Sequence, residues 1–225
     1  MQKLTRTILA SAAILTAVIS SGTVQAQDYY SGSRYKTGYE EKNLRLGLSI
    51  NPNIGWMRYN DEDYDAGSKA GFSYGLLADV GFARNYYFST GLLINSISTS
   101  VTPPSYVEDN TKRNLIRLQY VDVPLTIKLK SEENDLGRFY GQFGFTAGFK
   151  VSGKEKLAGS NKNTSIDGDD LFRLGLQVGG GAEWKLGDNL GVLTGLTFNN
   201  GFTRAINNEG KPKTSYVALN LGILF

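Results

Sequence analysis

Between Leu44 and Phe225, in runs separated by polar connections, apolar side chains recur at alternate residues. That period constrains the fold more than any other feature, because only a β-strand places alternate residues on one face. In 171–186 (LFRLGLQVGGGAEWKL), Phe172, Leu174, Leu176, Val178, Ala182 and Trp184 share one parity. Arg173, Gly175, Gln177, Gly179, Gly181, Glu183 and Lys185 hold the other. In 138–151, Phe139, Phe143, Phe145, Phe149 and Val151 oppose Arg138, Tyr140, Gln142, Gly144, Gly148 and Lys150. Segments 44–57, 71–83, 86–98, 190–201 and 214–225 divide in the same way. Segment 115–130 breaks phase: Ile116, Leu118 and Tyr120 are even, whereas Val121, Val123, Leu125, Ile127 and Leu129 are odd. With Pro124 beside the change, this predicts a β-bulge near 120–124.

The pattern yields eight strands of roughly 12–16 residues, well beyond the usual length of about 5–6. A tilted strand needs about 9–11 residues to cross a bilayer core, so the excess suits a membrane barrel. The connections alternate as well. Those at Arg84-Asn85, 131–137 and 187–189 are short; those at 60–70, 99–114, 152–170 and 206–213 are longer and polar. Such alternation is expected of an up-and-down barrel with both termini on the short-turn side, in the periplasm, and the long loops outside.

Two closed barrels share this pattern. A soluble lipocalin-like ligand-binding barrel points its apolar face inward; an outer-membrane barrel points it at hydrocarbon. Small and charged residues share a face here, and Gly accounts for 27 of 225 residues, about 12% against a usual 7%. The interior of an eight-stranded barrel is just wide enough for side chains. Glycine would let Arg, Lys, Glu and Tyr interleave there, whereas Phe139, Phe143, Phe145, Phe149, Trp184 and Phe198 turned inward would overfill it. Aromatics near segment ends, among them Trp56, Tyr86 and Trp184, suit interfacial girdles. The expected fold is therefore all-β: an eight-stranded antiparallel up-and-down transmembrane β-barrel over residues 44–225, in the outer membrane.

Residues 1–26 read as a secretory signal peptide, with Lys3 and Arg6 ahead of the apolar stretch Ile8–Ile19 and a cleavage site between Ala26 and Gln27. The apolar stretch falls short of the roughly 20 residues of a spanning helix. Residues 27–43, polar and rich in Tyr, read as a flexible periplasmic segment. Without Lys3 and Arg6 the 24 basic side chains become 22 against 21 acidic ones, so charge makes no case for nucleic acid. The absence of Cys and His removes disulfides, thiol chemistry, imidazole metal sites and every catalytic arrangement that needs a histidine. No enzymatic activity and no cofactor are expected.

Eight inward charges form the candidate site: Arg45, Asp79, Asp122, Arg138, Lys150, Arg173, Glu183 and Lys185. Buried charges must pair or stay hydrated. An ion-pair plug that keeps the barrel closed is the expected use; a polar lumen passing ions or small solutes is the alternative, and five bases against three acids would favour anions. The loop Asp61-Glu62-Asp63-Tyr64-Asp65-Ala66-Gly67 approaches a calcium loop, but Gly is one place late and Phe72 stands where Glu is needed. It reads as a solvated acidic loop. The terminal strand alternates Val217, Leu219, Leu221, Ile223 and Phe225; the terminal Phe225 resembles the assembly signal of outer-membrane barrels.

Tyr120-Val121-Asp122-Val123-Pro124-Leu125-Thr126-Ile127-Lys128 resembles a characteristic strand of the PorT-like outer-membrane β-barrel family, and Gly179-Gly180-Gly181-Ala182-Glu183-Trp184 is similar to its later Gly-rich strand. The resemblance covers 44–225. It implies a small outer-membrane barrel and little about activity; nothing in these residues carries over the founding member's link to a secretion apparatus. The expected partners are outer-membrane lipid and lipopolysaccharide, the barrel assembly machinery and an envelope protein, with the barrel a monomer. The expected role is structural or interactive, through the long loops; the alternatives are a small porin and a soluble ligand-binding barrel.

Overall fold

The computed structural model describes residues 44–59, 65–102, 114–156, 163–165, 170–187, 189–206 and 211–225. The expected signal peptide with its Ala26/Gln27 site, the segment 27–43 and positions 61–64 of the acidic loop lie outside the described residues.

Eight long antiparallel strands close on themselves: β1 (Leu44–Arg58), β2 (Asp65–Ala83), β3 (Tyr86–Thr102), β4 (Asn114–Lys130), β5 (Gly137–Lys156), β7 (Phe172–Lys185), β8 (Gly191–Gly201) and β9 (Lys213–Leu224). Each pairs with its sequence neighbour in the barrel, β1 joins β9, and the β4–β5 pairing completes the cylinder. A three-residue strand, β6 (Asn163–Ser165), pairs with the end of β5. The terminal Phe225 exchanges two backbone hydrogen bonds with Leu46, of 2.8 and 3.2 Å, so the last residue extends the β9–β1 seam.

The apolar parity faces outward. Leu48, Ile50, Leu76, Phe143, Phe145 and Leu196 are all exposed on the outer surface, while Asp79, Asp122, Lys128 and Arg173 are buried within. This is the orientation a bilayer demands, since charged side chains on the lipid face are costly; hydrocarbon offers the backbone no hydrogen-bond partner, so only a closed ladder satisfies it.

The turn end of the barrel is built from tight connections. Asn85 adopts φ of 65° in the two-residue turn between β2 and β3, a conformation Asn tolerates. Asn134 Oδ1 accepts from the backbone N–H of Leu136 and Gly137, both at 3.0 Å. Gly137 then enters β5 at φ of 137°, which a residue with a Cβ would rarely adopt.

Two sequence expectations need correction. The strands run further at the loop end than periodicity indicates: β2 starts at Asp65, β3 reaches Thr102 and β5 reaches Lys156. Polar residues continue the ladder there because neither face needs to be apolar beyond the membrane. The phase break in β4 is not a bulge in β4. Even residues from Ile116 to Lys130 stay buried without interruption. The register slips between Gln119 and Tyr120, which face Ser152 and Lys150, so the extra residue is Val151 on β5. What changes along β4 is the chemistry of the interior.

Substitution on the outer face tests this orientation. Ile50→Arg, midway along the apolar row of β1, should destabilise the barrel by about 2–4 kcal/mol, and Leu44→Arg at its end by about 0–1 kcal/mol. Urea unfolding in lipid vesicles measures both; equal effects would contradict the depth assignment.

Candidate functional site in the barrel interior

The interior is layered along the axis. At the turn end, β1, β2, β4 and β7 bring Arg45, Asp79, Lys128, Lys130 and Glu183 together. Lys128 Nζ donates to both oxygens of Asp79, at 2.7 and 3.0 Å. Lys130 Nζ bridges Asp79 Oδ2 at 3.2 Å and Glu183 Oε1 at 2.9 Å. Arg45 Nη1 reaches Glu183 Oε2 at 2.8 Å, and Ser89 Oγ donates to Asp79 at 2.6 Å. Three cations thus surround two carboxylates. Two aromatic faces receive the excess: Lys130 lies 3.9 Å from the centre of the Tyr87 ring, and Lys128 5.0 Å from that of Tyr140.

Above this cluster lies a polar belt of Ser49, Asn51, Ser73, Thr126, Gln142 and Asn220 around a cavity of about 50 Å³. That is room for a few water molecules and too little for an organic ligand.

The next layer centres on Arg173, which is 2% exposed. Its guanidinium donates through Nε to Thr214 Oγ1 at 2.9 Å and through Nη2 to Asn199 Oδ1. The rings of Tyr120 and Tyr216 flank it at 5.8 and 5.3 Å. Asp122 Oδ2 stands 4.0 Å from Arg173 Nη1 and accepts from Asn95 Nδ2 at 2.7 Å. Asn53 extends the chain to Asn95 at 3.2 Å. On the other side Asn199 donates to Thr146, which donates to Gln177, at 3.0 and 2.6 Å. Glycine makes the room: a Cβ at Gly148 would run into the Asp122 carboxylate, and one at Gly195 into the Tyr140 hydroxyl.

The loop end is sealed differently. Met57, Ile97, Val101, Ile116, Leu118 and Ala205 form a buried apolar cluster inside the barrel, with Tyr59 and Ile206 against it. The even parity of Ile116 and Leu118 is therefore an interior feature, and the alternation rule that separated outside from inside does not hold at this end.

The eight charges of the sequence reading fall into separate groups. Arg45, Asp79 and Glu183 meet at the turn end, and Asp122 and Arg173 in the upper layer. Arg138 and Lys185 both reach Glu133 at the turn-end mouth, at 2.8 and 3.3 Å. Lys150 donates to the Ala205 carbonyl at 3.3 Å, toward the loop end. Lys128 and Lys130, the hub of the lower cluster, were missed. They share the parity of Asp122 and oppose Leu125, Ile127 and Leu129, so counting inward residues to the end of β4 would have found them. Among the described residues no group of His, Cys, Asp and Glu could hold a metal ion.

A family model described as "Outer membrane protein beta-barrel domain" matches residues 25–210. No curated protein matches the sequence. Similar solved structures include Neisserial surface protein A (10% identity, 80% of this chain and 95% of that one, TM-score 0.43). Others are Ail, the attachment invasion locus protein of Yersinia pestis (13%, 81% and 99%, 0.40), and the outer membrane protein OprG of Pseudomonas aeruginosa (12%, 80% and 95%, 0.43).

Truncating one partner of a buried ion pair leaves the other charge uncompensated, at a cost of about 3–5 kcal/mol. Asp79→Ala should therefore lower the urea midpoint strongly. Removing the exposed Arg84–Glu132 pair should cost at most about 1 kcal/mol. Asp79→Leu combined with Lys128→Met should recover much of the loss. Comparable midpoints for Asp79→Ala and Arg84→Ala would show that the cluster does not hold the barrel.

Proposed function

The chain belongs to the outer membrane protein beta-barrel domain family, and from that premise we propose that it is a closed, non-enzymatic outer-membrane barrel acting as an envelope structural or interaction protein through its long loops. Those loops face the outside of the cell, and the barrel works as a monomer. The observation that carries this reading is the filled interior. The Arg45–Glu183–Lys130–Asp79–Lys128 network obstructs the turn end, the Met57–Leu118 cluster obstructs the loop end, and the cavity between them holds about 50 Å³. The buried ion pairs act as a structural plug.

A small anion-favouring channel is the second reading. It is favoured by the excess of cations over carboxylates at the turn end and by the polar belt above it. A solute would have to part both the ion pairs and the apolar cluster to pass.

The finer likeness to the PorT-like family finds a physical sense within the same reading. Tyr120, Asp122, Pro124, Thr126 and Lys128 of the motif all turn inward and are buried. Asp122 faces Arg173 and Lys128 grips Asp79, so the motif encodes interior packing and says nothing of partners or secretion. Export is proposed to proceed by cleavage between Ala26 and Gln27, with recognition of the Phe225 strand by the assembly machinery.

Planar-bilayer recording on the pure protein tests the plug. The expected result is no stable large conductance from the wild type. Discrete high-conductance openings would favour the channel reading instead.

A further inference from the structure

Two cross-strand pairs on the outer surface depart from the chemistry of the rest of that surface. The outward row of β1 runs through Ile54 and Trp56 to Arg58; that of β9, read the same way, passes Leu219, Val217 and the buried Ser215 to the half-buried Lys213. The outward row of β4 passes Arg117 before Leu115, and that of β5 passes Lys154 before Lys156. Arg58 stands directly opposite Lys213 across the β1–β9 seam, and Arg117 directly opposite Lys154 across the β4–β5 seam. Like charges facing each other across a ladder destabilise it. Among the described residues none of the four makes an ion pair; Arg58 donates to the Gly201 carbonyl at 3.1 Å.

Three features of placement say what offsets this repulsion. Both pairs lie on the loop side of the main apolar run of their rows, which on the lipid-facing reading is where the headgroups begin. Both lie at the loop end; at the turn end the same four rows finish in Leu44, Phe225, Leu129 and Phe139, and the lysines there turn inward. The two seams are four strands apart by either route around the cylinder, so the pairs occupy opposite sides of the barrel. An arginine fork beside a lysine ammonium matches a phosphate dianion, which accepts from both.

We propose that Arg58–Lys213 and Arg117–Lys154 are two binding sites for the phosphate groups of phosphorylated glycolipid in the loop-end leaflet. Each site clamps one headgroup against the barrel wall while the acyl chains lie along the apolar band below. The sites rest on the reading that the apolar face meets lipid and the loops face outward. They would fix the height of the barrel in the outer leaflet at two opposed points.

Native mass spectrometry of the full folded chain in phosphatidylcholine nanodiscs tests this, with added lipid A in bis-phosphorylated or dephosphorylated form. The wild type should retain up to two bis-phosphorylated molecules and on the order of tenfold less of the dephosphorylated form. R58Q/K213Q and R117Q/K154Q should each retain one, and the fourfold variant none. Excess inorganic phosphate should leave the bound lipid in place; its full displacement would reassign the sites to free phosphate and overturn the lipid assignment. Equal retention of both lipid forms by the wild type would overturn the sites without recourse to any variant. The heat-modifiable band of the same samples separates the two readings. A folded band without retained lipid sinks the sites and leaves the barrel standing; no folded band sinks both.

Discussion

Everything in this molecule follows from the requirement that backbone hydrogen bonds be complete where no water can supply them. The β4–β5 pairing and the β1–β9 seam turn an open sheet into a cylinder. Once the cylinder exists, each strand has one face in lipid and one in a narrow interior, and the side-chain period of two sorts the sequence between them. The long seam registers, twelve pairs for β1–β2 and sixteen for β4–β5, leave little freedom to slip. A slip by one residue would send Asp79, Asp122 and Arg173 into hydrocarbon and pack Phe143 and Phe145 into a lumen already full.

That penalty gives the buried charges a use beyond attraction. A buried ion pair is weak evidence for stability, because desolvation offsets much of the Coulomb gain. Its value here lies in telling the two faces apart. An apolar interior throughout would make the inside and the outside of each strand nearly equivalent to lipid. The Asp79 and Glu183 cluster, fixed by Lys128, Lys130 and Arg45, makes the inverted arrangement costly at the turn end. Arg173, held between two tyrosine rings and a row of amides, does the same higher up.

The apolar face of each long strand was legible from alternation over most of its length, as was the division of Arg173 and Gln177 from Leu176 and Val178. The interior was legible only in part. Reading 115–130 as a broken phase assumed that apolar residues always face lipid. Ile116 and Leu118 violate that assumption because the loop end of the lumen is sealed by a small hydrophobic core, which uses the same residue types as the outer wall. Lys128 and Lys130 were readable from the parity of Asp122, which they share, and were passed over because the count of inward charges stopped short of the end of β4. The extra residue on β5 at Val151 has no mark in the sequence: Lys150, Val151 and Ser152 alternate acceptably in either register.

The two ends of the lumen are closed by opposite means, and the difference follows from what each end adjoins. At the turn end the connections are two to six residues long and carry Glu132, Glu133 and Asn134 at the mouth, so charged groups there can form pairs that continue outward through Arg138 and Lys185 to Glu133. At the loop end the strands rise past the membrane into water. Ion pairs in that position would be screened and hydrated, whereas apolar side chains gain most from being removed from water. A hydrophobic seal is thus the stronger closure where solvent is near, and an ion-pair seal is tolerable where the barrel wall keeps solvent out. Opening the barrel would require both to fail together, and added salt, which screens ion pairs, does not loosen an apolar cluster.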